Sequence, residues 1–126
     1  MRRSNGARTG TFGTAAQYFA ADSPSAVATA DFAGSGIDDL VVANITQGNQ
    51  GAGAVSVLLN RGNGTFAPLP IQVTGDYNES LATGDLRGNG VQDLVMTTEL
   101  SDTVSVFLGN GDGSFQAARS VAAGIA

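Results

Sequence analysis

The chain has 126 residues, an apolar content of 42% and a net charge of −5, with six arginines and no lysine. This length suits one modest domain, and an acidic chain with scattered arginines lacks the clustered positive charge that nucleic-acid binding needs. The chain also has no cysteine and no histidine, which excludes disulfides, zinc–thiolate sites and the commonest general base.

The order of the residues disfavours two kinds of segment, a membrane-spanning helix and a signal peptide. No apolar run approaches the ~18 residues that a membrane-spanning helix needs, so we expect no membrane insertion. The start Met1–Arg3 is followed by polar and small residues rather than an apolar stretch, so no signal peptide is predicted.

Residues 26–75 read as a unit of four short strands, predicted near 26–30, 40–44, 54–59 and 66–73. The second contains the continuous apolar run Leu40–Ala43, and the third contains the β-branched run Val55–Leu59. Between the third and fourth lies Asn60–Thr65, a Gly/Asn cluster that favours a tight hairpin. No stretch shows sustained helical periodicity, so we expect essentially no helix.

Residues 76–126 repeat this unit. The segment Asp31–Leu40 returns 54 residues later as Asp85–Leu94, and Gly62–Phe66 returns 49 residues later as Gly111–Phe115. The difference predicts a five-residue insertion in unit one, within 47–53, which reads as a tolerated surface loop. A partial copy opens the chain, where Gly10–Phe12 matches the end of unit one.

Repeated units of four short strands are typical of β-propeller blades. We therefore predict an all-β chain with two full blades of four antiparallel strands each, at 26–75 and 76–126. One extra N-terminal outer strand, near 12–20 within the segment 1–25, is predicted to belong to a partial blade.

At these motifs the chain resembles the FG-GAP/VCBS repeat family, whose blades also build the integrin α-subunit propeller. The matching motifs are Asp31–Leu40, Asp85–Leu94, Asn60–Phe66 and Leu108–Phe115, and the resemblance covers about residues 10–124. It implies a propeller fold, structural calcium (Ca²⁺) in the loops, and an extracellular or cell-surface location. It does not imply one activity.

Calcium takes six to eight oxygen ligands, and each acid loop has glycines that allow a sharp turn around an ion. Loop one (residues 31–39) offers the side chains or carbonyl of Asp31, Ser35, Ile37 and Asp39. Loop two (residues 85–93) offers those of Asp85, Asn89, Val91 and Asp93. The third loop position is Ala33 in one and Arg87 in the other, whose charge opposes an ion unless it swings outward.

The same aspartates can hold a turn by accepting backbone N–H bonds, and the residues leave both interpretations open. Where calcium binds, we expect it in loop one before loop two, because loop one lacks the arginine and has the extra acid Asp38 nearby.

The sequence contains no catalytic constellation, so we expect a non-enzymatic repeat module that works through self-association or partner binding. Two blades do not close a propeller of four to eight, which predicts a homo-oligomer: a ring of three or four chains, or an open filament. The N-terminal residues Phe12, Tyr18 and Phe19 are expected at the junction between chains.

Two alternatives remain open from sequence. One is a carbohydrate-binding lectin assembled as an oligomeric propeller, with a glycan pocket beside Tyr77. The other is an excerpt of a larger extracellular adhesion or catalytic protein, with a glycan or protein ligand bound elsewhere.

Overall fold

In a computed structural model, which describes residues 10–18, 23–44, 53–73, 78–98 and 103–122, the chain forms two antiparallel β-sheets. The first sheet, blade one, consists of β1 (Pro24–Ala30), β2 (Asp39–Asn44), β3 (Ala54–Asn60), β4 (Phe66–Pro68) and β5 (Gln72–Val73). The second sheet, blade two, consists of β6 (Asn78–Gly84), β7 (Asp93–Thr98), β8 (Thr103–Phe107) and β9 (Arg119–Ala122). The described residues contain no helix, which confirms the predicted all-β class of propeller-type blades.

Each blade is a meander in which successive strands pair with one another. Blade one has the order β1-β2-β3-β4 with β5 also paired to β3, and blade two has the order β6-β7-β8-β9. The irregularities in strand pairing repeat as well. The register shift between Pro24 and Ala26 recurs between Asn78 and Ser80, 54 residues later.

The core lies between the blades. Since side chains alternate between the two faces of a strand, residues paired in register share a face. On blade one, the face with Val41, Val55 and Val57 is buried. It belongs to the same apolar cluster as the face of blade two that carries Leu94 and Phe107.

The opposite faces of the two blades differ in exposure. On blade one, Val42 and Leu58 are also buried. On blade two, Val95, Val104 and Val106 are only half-buried and Val121 is 59% exposed. The middle strands of blade two are therefore fully buried on one face only, since no sheet among the described residues covers the other face.

Two predicted strands differ from the observed ones. The fourth strand, predicted over 66–73, is interrupted between β4 and β5 at Leu69–Ile71, where Pro70 has no N–H to donate to the ladder. The extra N-terminal strand is not formed over residues 10–18, which have no blade of their own to pair with.

Several expectations fall outside the described residues. These are the position of Phe19, most of the insertion within 47–53, and the glycan pocket at Tyr77. The domain boundaries at 25/26 and 75/76 stay predictions. Within the described part of the chain, no helix is long and apolar enough to cross a membrane.

The equivalent leucines Leu94 and Leu40 provide a test of the core. Leu94 is fully buried, whereas Leu40 is half-buried. We expect Leu94→Ala to lower the free energy of unfolding by about 2–5 kcal/mol through lost burial and the cavity left behind. Leu40→Ala should lower the free energy of unfolding by clearly less. Urea denaturation of both variants measures this order, and an equal or reversed order would contradict the described packing.

Candidate functional site: two acid loops and the interface between the blades

Loop one joins β1 to β2 and is organised by the carboxylate of Asp31. Its Oδ1 accepts the N–H of Ser35 at 3.0 Å, and its Oδ2 accepts the N–H of Gly36 at 2.8 Å. The bond from Gly36, with a smaller contribution from Ser35, lowers the pKa of Asp31 below its ordinary value. Gly34 and Gly36 have positive φ angles of 73° and 93°, which permits this tight turn.

Loop two joins β6 to β7 and repeats this arrangement. The carboxylate of Asp85 accepts the N–H of Asn89 at 3.1 Å and that of Gly90 at 2.7 Å. The bond from Gly90, followed by that from Asn89, lowers the pKa of Asp85 in the same way. The first aspartate of each loop therefore holds the turn through backbone donors.

The last aspartate of loop one, Asp39, is buried and connects two parts of the blade. Its Oδ2 accepts the N–H groups of Phe32 and Ala33 at 3.0 and 3.3 Å. Its Oδ1 accepts the N–H of Asn60, at the end of β3, at 2.8 Å. The Asn60 side chain also donates a hydrogen bond to the Asp38 carbonyl at 2.8 Å. Loop one is thus attached to the hairpin that follows β3.

The equivalent Asp93 in loop two is also buried but has a charged partner. Its Oδ2 accepts the N–H of Leu86 at 2.9 Å, and its Oδ1 accepts the N–H of Gly109 at 2.8 Å. The same Oδ1 lies 3.1 Å from Nη2 of Arg87 in an ion pair. That Nη2 also donates to the Gly109 carbonyl at 2.8 Å.

The remaining predicted ligands lie on the exposed sides of the loops. In loop one, Ser35 Oγ lies 3.5 Å from the Ile37 carbonyl oxygen. In loop two, the Asn89 side-chain oxygen accepts the N–H of Val91 at 3.1 Å. The described residues contain no group of three acidic, histidine or cysteine side chains that could hold a metal.

The two loops differ in how well they fit calcium. Loop one keeps two carboxylates, one hydroxyl and one carbonyl, and no cationic side chain of the described residues pairs with them. The residues that would hold a calcium ion there are Asp31, Ser35, Ile37 and Asp39, with water completing the shell. Loop two does not fit, because the guanidinium of Arg87 already binds the carboxylate that would be a ligand.

The blades meet through repeated loop and hairpin contacts. The N–H of Gly113 in blade two donates to the Phe32 carbonyl in blade one at 3.0 Å. The Thr83 hydroxyl donates to the Thr29 carbonyl at 3.2 Å. The rings of Phe32 and Phe115 pack edge to face with centroids 5.4 Å apart. Phe115 is therefore a blade-packing residue.

A cavity of about 240 Å³ lies at this junction. Its wall includes Val55, Val57, Leu69, Pro70, Gln72, Asp112, Gly113, Ser114 and Phe115. The wall is mostly apolar, and the Asp112 carboxylate already accepts the N–H and the hydroxyl of Ser114 at 2.9 and 2.6 Å.

The sequence model of one family, described as FG-GAP-like repeat, matches residues 31–96, which include both acid loops and the β3–β4 hairpin. The chain belongs to this family of FG-GAP-like repeats. No curated protein and no solved structure matches the chain. FG-GAP-like repeats are typical of extracellular proteins.

Some residues of this FG-GAP-like repeat protein were not identified from sequence. Phe32 was not singled out, although the apolar residue after the first loop aspartate recurs as Leu86 and was a usable signal. The sequence leaves open whether Arg87 opposes an ion or swings outward; in the structure its guanidinium pairs with Asp93. The link from Asn60 to Asp39 joins residues 21 apart, and no local pattern indicates it.

The acid dependence of stability provides a test of the loop carboxylates. A lowered pKa stabilises the fold above the ordinary value of 3.8, and this contribution disappears as the pH falls through the folded value. We expect the double variant Asp31→Asn, Asp85→Asn to melt at a lower temperature than the unmodified chain at neutral pH. Its melting temperature should fall less than that of the unmodified chain when the pH is lowered below 3.8. Melting curves at several pH values measure this, and parallel curves for both proteins would contradict it.

Proposed function

We propose that this chain is a non-enzymatic FG-GAP-like repeat module that acts by head-to-tail association of blades, with a second copy of the chain as partner. The observation that carries this proposal is the incompletely buried valine face of blade two, of which Val121 is exposed and the other three valines are half-buried. We define this face as Val95, Val104, Val106 and Val121.

The valine face repeats the surface that is buried between the blades. Val95 occupies the position of Val41 in blade one, and Val106 occupies that of Val57. In blade one these positions are 0% and 5% exposed, because blade two covers them. Burying an equivalent surface gains about 25 cal/mol per Å² of apolar area, which favours docking of another blade.

The polar contacts between the blades can also be repeated. Gly64 is the equivalent of Gly113, and both have positive φ angles, of 88° and 96°. A Cβ placed on Gly113 would lie 2.7 Å from Leu69 Cδ1, whereas one on Gly64 would meet nothing within 4 Å. The backbone of Gly64 therefore has the conformation for an inter-blade contact and open space beside it.

The apolar partner positions are present as well. Phe32 is buried between the blades, while its equivalent Leu86 is 54% exposed. Val27 is 62% exposed, while its equivalent Leu81 packs against the core. In head-to-tail docking, Leu86 of one copy meets blade one of the next, and Val27 enters the new interface.

A non-enzymatic role is supported by the composition, since the chain has neither histidine nor cysteine. An extracellular location is part of this proposal and is supported by what is typical of the family. We include calcium as a structural ion of loop one, supported by its two carboxylates and by the absence of a basic residue from this loop.

Sedimentation at several concentrations tests association through the valine face. We expect Val106→Asp to weaken association about tenfold or more, because a carboxylate would be buried without a partner. Phe12→Asp tests whether the N-terminal segment also lies at the junction between chains, since Phe12 is 97% exposed and belongs to neither sheet. The mass of the assembly distinguishes three copies, four copies and an open filament.

Val27→Asp decides the geometry of the contact. Head-to-tail docking places Val27 in the interface, so this variant should weaken association as well. A dimer that pairs two valine faces would leave Val27 outside and would not respond. A folded monomer at micromolar concentration, or association unchanged by Val106→Asp, would refute the proposed function.

Calorimetric titration with calcium tests the ion. We expect Asp31→Ala to abolish or strongly weaken binding and Asp85→Ala to leave it nearly unchanged, since loop one holds the ion. Calcium should raise the melting temperature of the unmodified chain by mass action. The opposite order of the two variants would contradict the assignment to loop one.

A further inference from the structure

The guanidinium of Arg87 binds the carboxylate of Asp93, which loop two would otherwise offer to a metal ion. One nitrogen, Nη2, lies 3.1 Å from Asp93 Oδ1 and 2.8 Å from the Gly109 carbonyl oxygen. We infer that Arg87 is a built-in cation that replaces calcium in loop two, so that this loop is stable without metal.

The contacts of Arg87 match what a structural ion does. A bound cation neutralises a carboxylate and joins segments that are distant in sequence. Arg87 neutralises Asp93, whose side chain is fully buried, and its bond to Gly109 connects loop two to the segment after β8. Guanidinium suits this role because it stays charged and presents several N–H donors in a fixed plane.

Loop one shows how the buried carboxylate is surrounded when the loop has no arginine. Ala33 stands at the equivalent position. The buried carboxylate of Asp39 receives three backbone N–H groups, and no cationic side chain in the described part of the chain pairs with it. The two repeats therefore balance the same buried charge differently. In loop two the countercharge is covalently part of the chain.

Gly109 allows the end of loop two to lie close to the segment after β8. A Cβ at this position would collide with the carbonyl oxygen of Gln92 and would lie 3.1 Å from Val91 Cγ1. The equivalent residue in blade one is Asn60, whose side chain makes its own contacts to Asp38 and Gly62. Arginine at the third loop position is thus accompanied by glycine at the facing position.

The test uses an Asp31→Asn background, in which loop one is weakened as a calcium site. Its melting temperature should not change between chelator and millimolar calcium. Adding Arg87→Asp should lower the melting temperature in chelator by several degrees, and calcium should restore much of the loss, because loop two then has three carboxylates. Arg87→Ala should also lower the melting temperature in chelator, and calcium should restore part of the loss, because loop two then has two carboxylates and no arginine, as loop one does.

Three results would overturn the inference. One is an Arg87→Ala variant that melts at the same temperature as its parent in chelator. Another is a calcium response in the Asp31→Asn chain that disappears when Asp85→Ala is added. The third is an Asp31→Asn, Arg87→Asp chain whose melting temperature does not respond to calcium. Replacing the guanidinium would then not have made loop two dependent on metal.

A measurement on the unmodified chain keeps the inference testable if the variants fail to fold. Calorimetry should count at most one calcium ion per chain, and two ions would overturn the inference. Ala33→Arg is the matched gain-of-charge variant, and it should remove the binding that calorimetry detects. None of these measurements depends on association between copies.

Discussion

The buried carboxylates of Asp39 and Asp93 are the constraint on which the two blades depend. A buried carboxylate must be fully hydrogen-bonded, and each of these accepts N–H groups from the start of its own loop and from the end of the third strand or the segment just after it. This requirement fixes the distance between the acid loop and the hairpin within each blade. Because the hairpin of blade two reaches Phe32 of blade one through Gly113, the position of one blade against the other follows from it.

The repeat spacing predicted the strands and the turns well, since both depend on local patterns: β-branched runs, Gly/Asn clusters and glycines with positive φ. It could not predict which faces are covered. Val41 and Val95 are the same residue type at equivalent positions, yet one is fully buried and the other half-buried, because only blade one has a neighbouring sheet on that face. The break at Pro70 was visible in the sequence, but the pattern on either side favoured a continuous strand.

The candidate site was predicted in part. The loop aspartates lie where the repeat placed them, in two matching turns, but their partners come from distant segments that sequence spacing does not indicate. The direction of a long side chain such as Arg87 depends on the carboxylate and carbonyl oxygens it can reach after folding. A single repeat pattern therefore contains two loops of different chemistry, and the difference originates in one position, alanine or arginine, and its facing residue, asparagine or glycine.

The contact between Tyr18 and Phe66 has a thermodynamic consequence. Their rings pack edge to face at 5.6 Å and 82°, much as the rings of Phe32 and Phe115 pack at 5.4 Å and 76°. Since Phe66 is the equivalent of Phe115, the N-terminal segment supplies to blade one an aromatic contact of the kind that a preceding blade would supply. In the proposed head-to-tail association, an incoming blade would have to displace Tyr18 before it reached Phe66. The observed affinity would then be the intrinsic affinity multiplied by the fraction of molecules in which Tyr18 has left Phe66, and the N-terminal segment would act as a competitive intramolecular ligand.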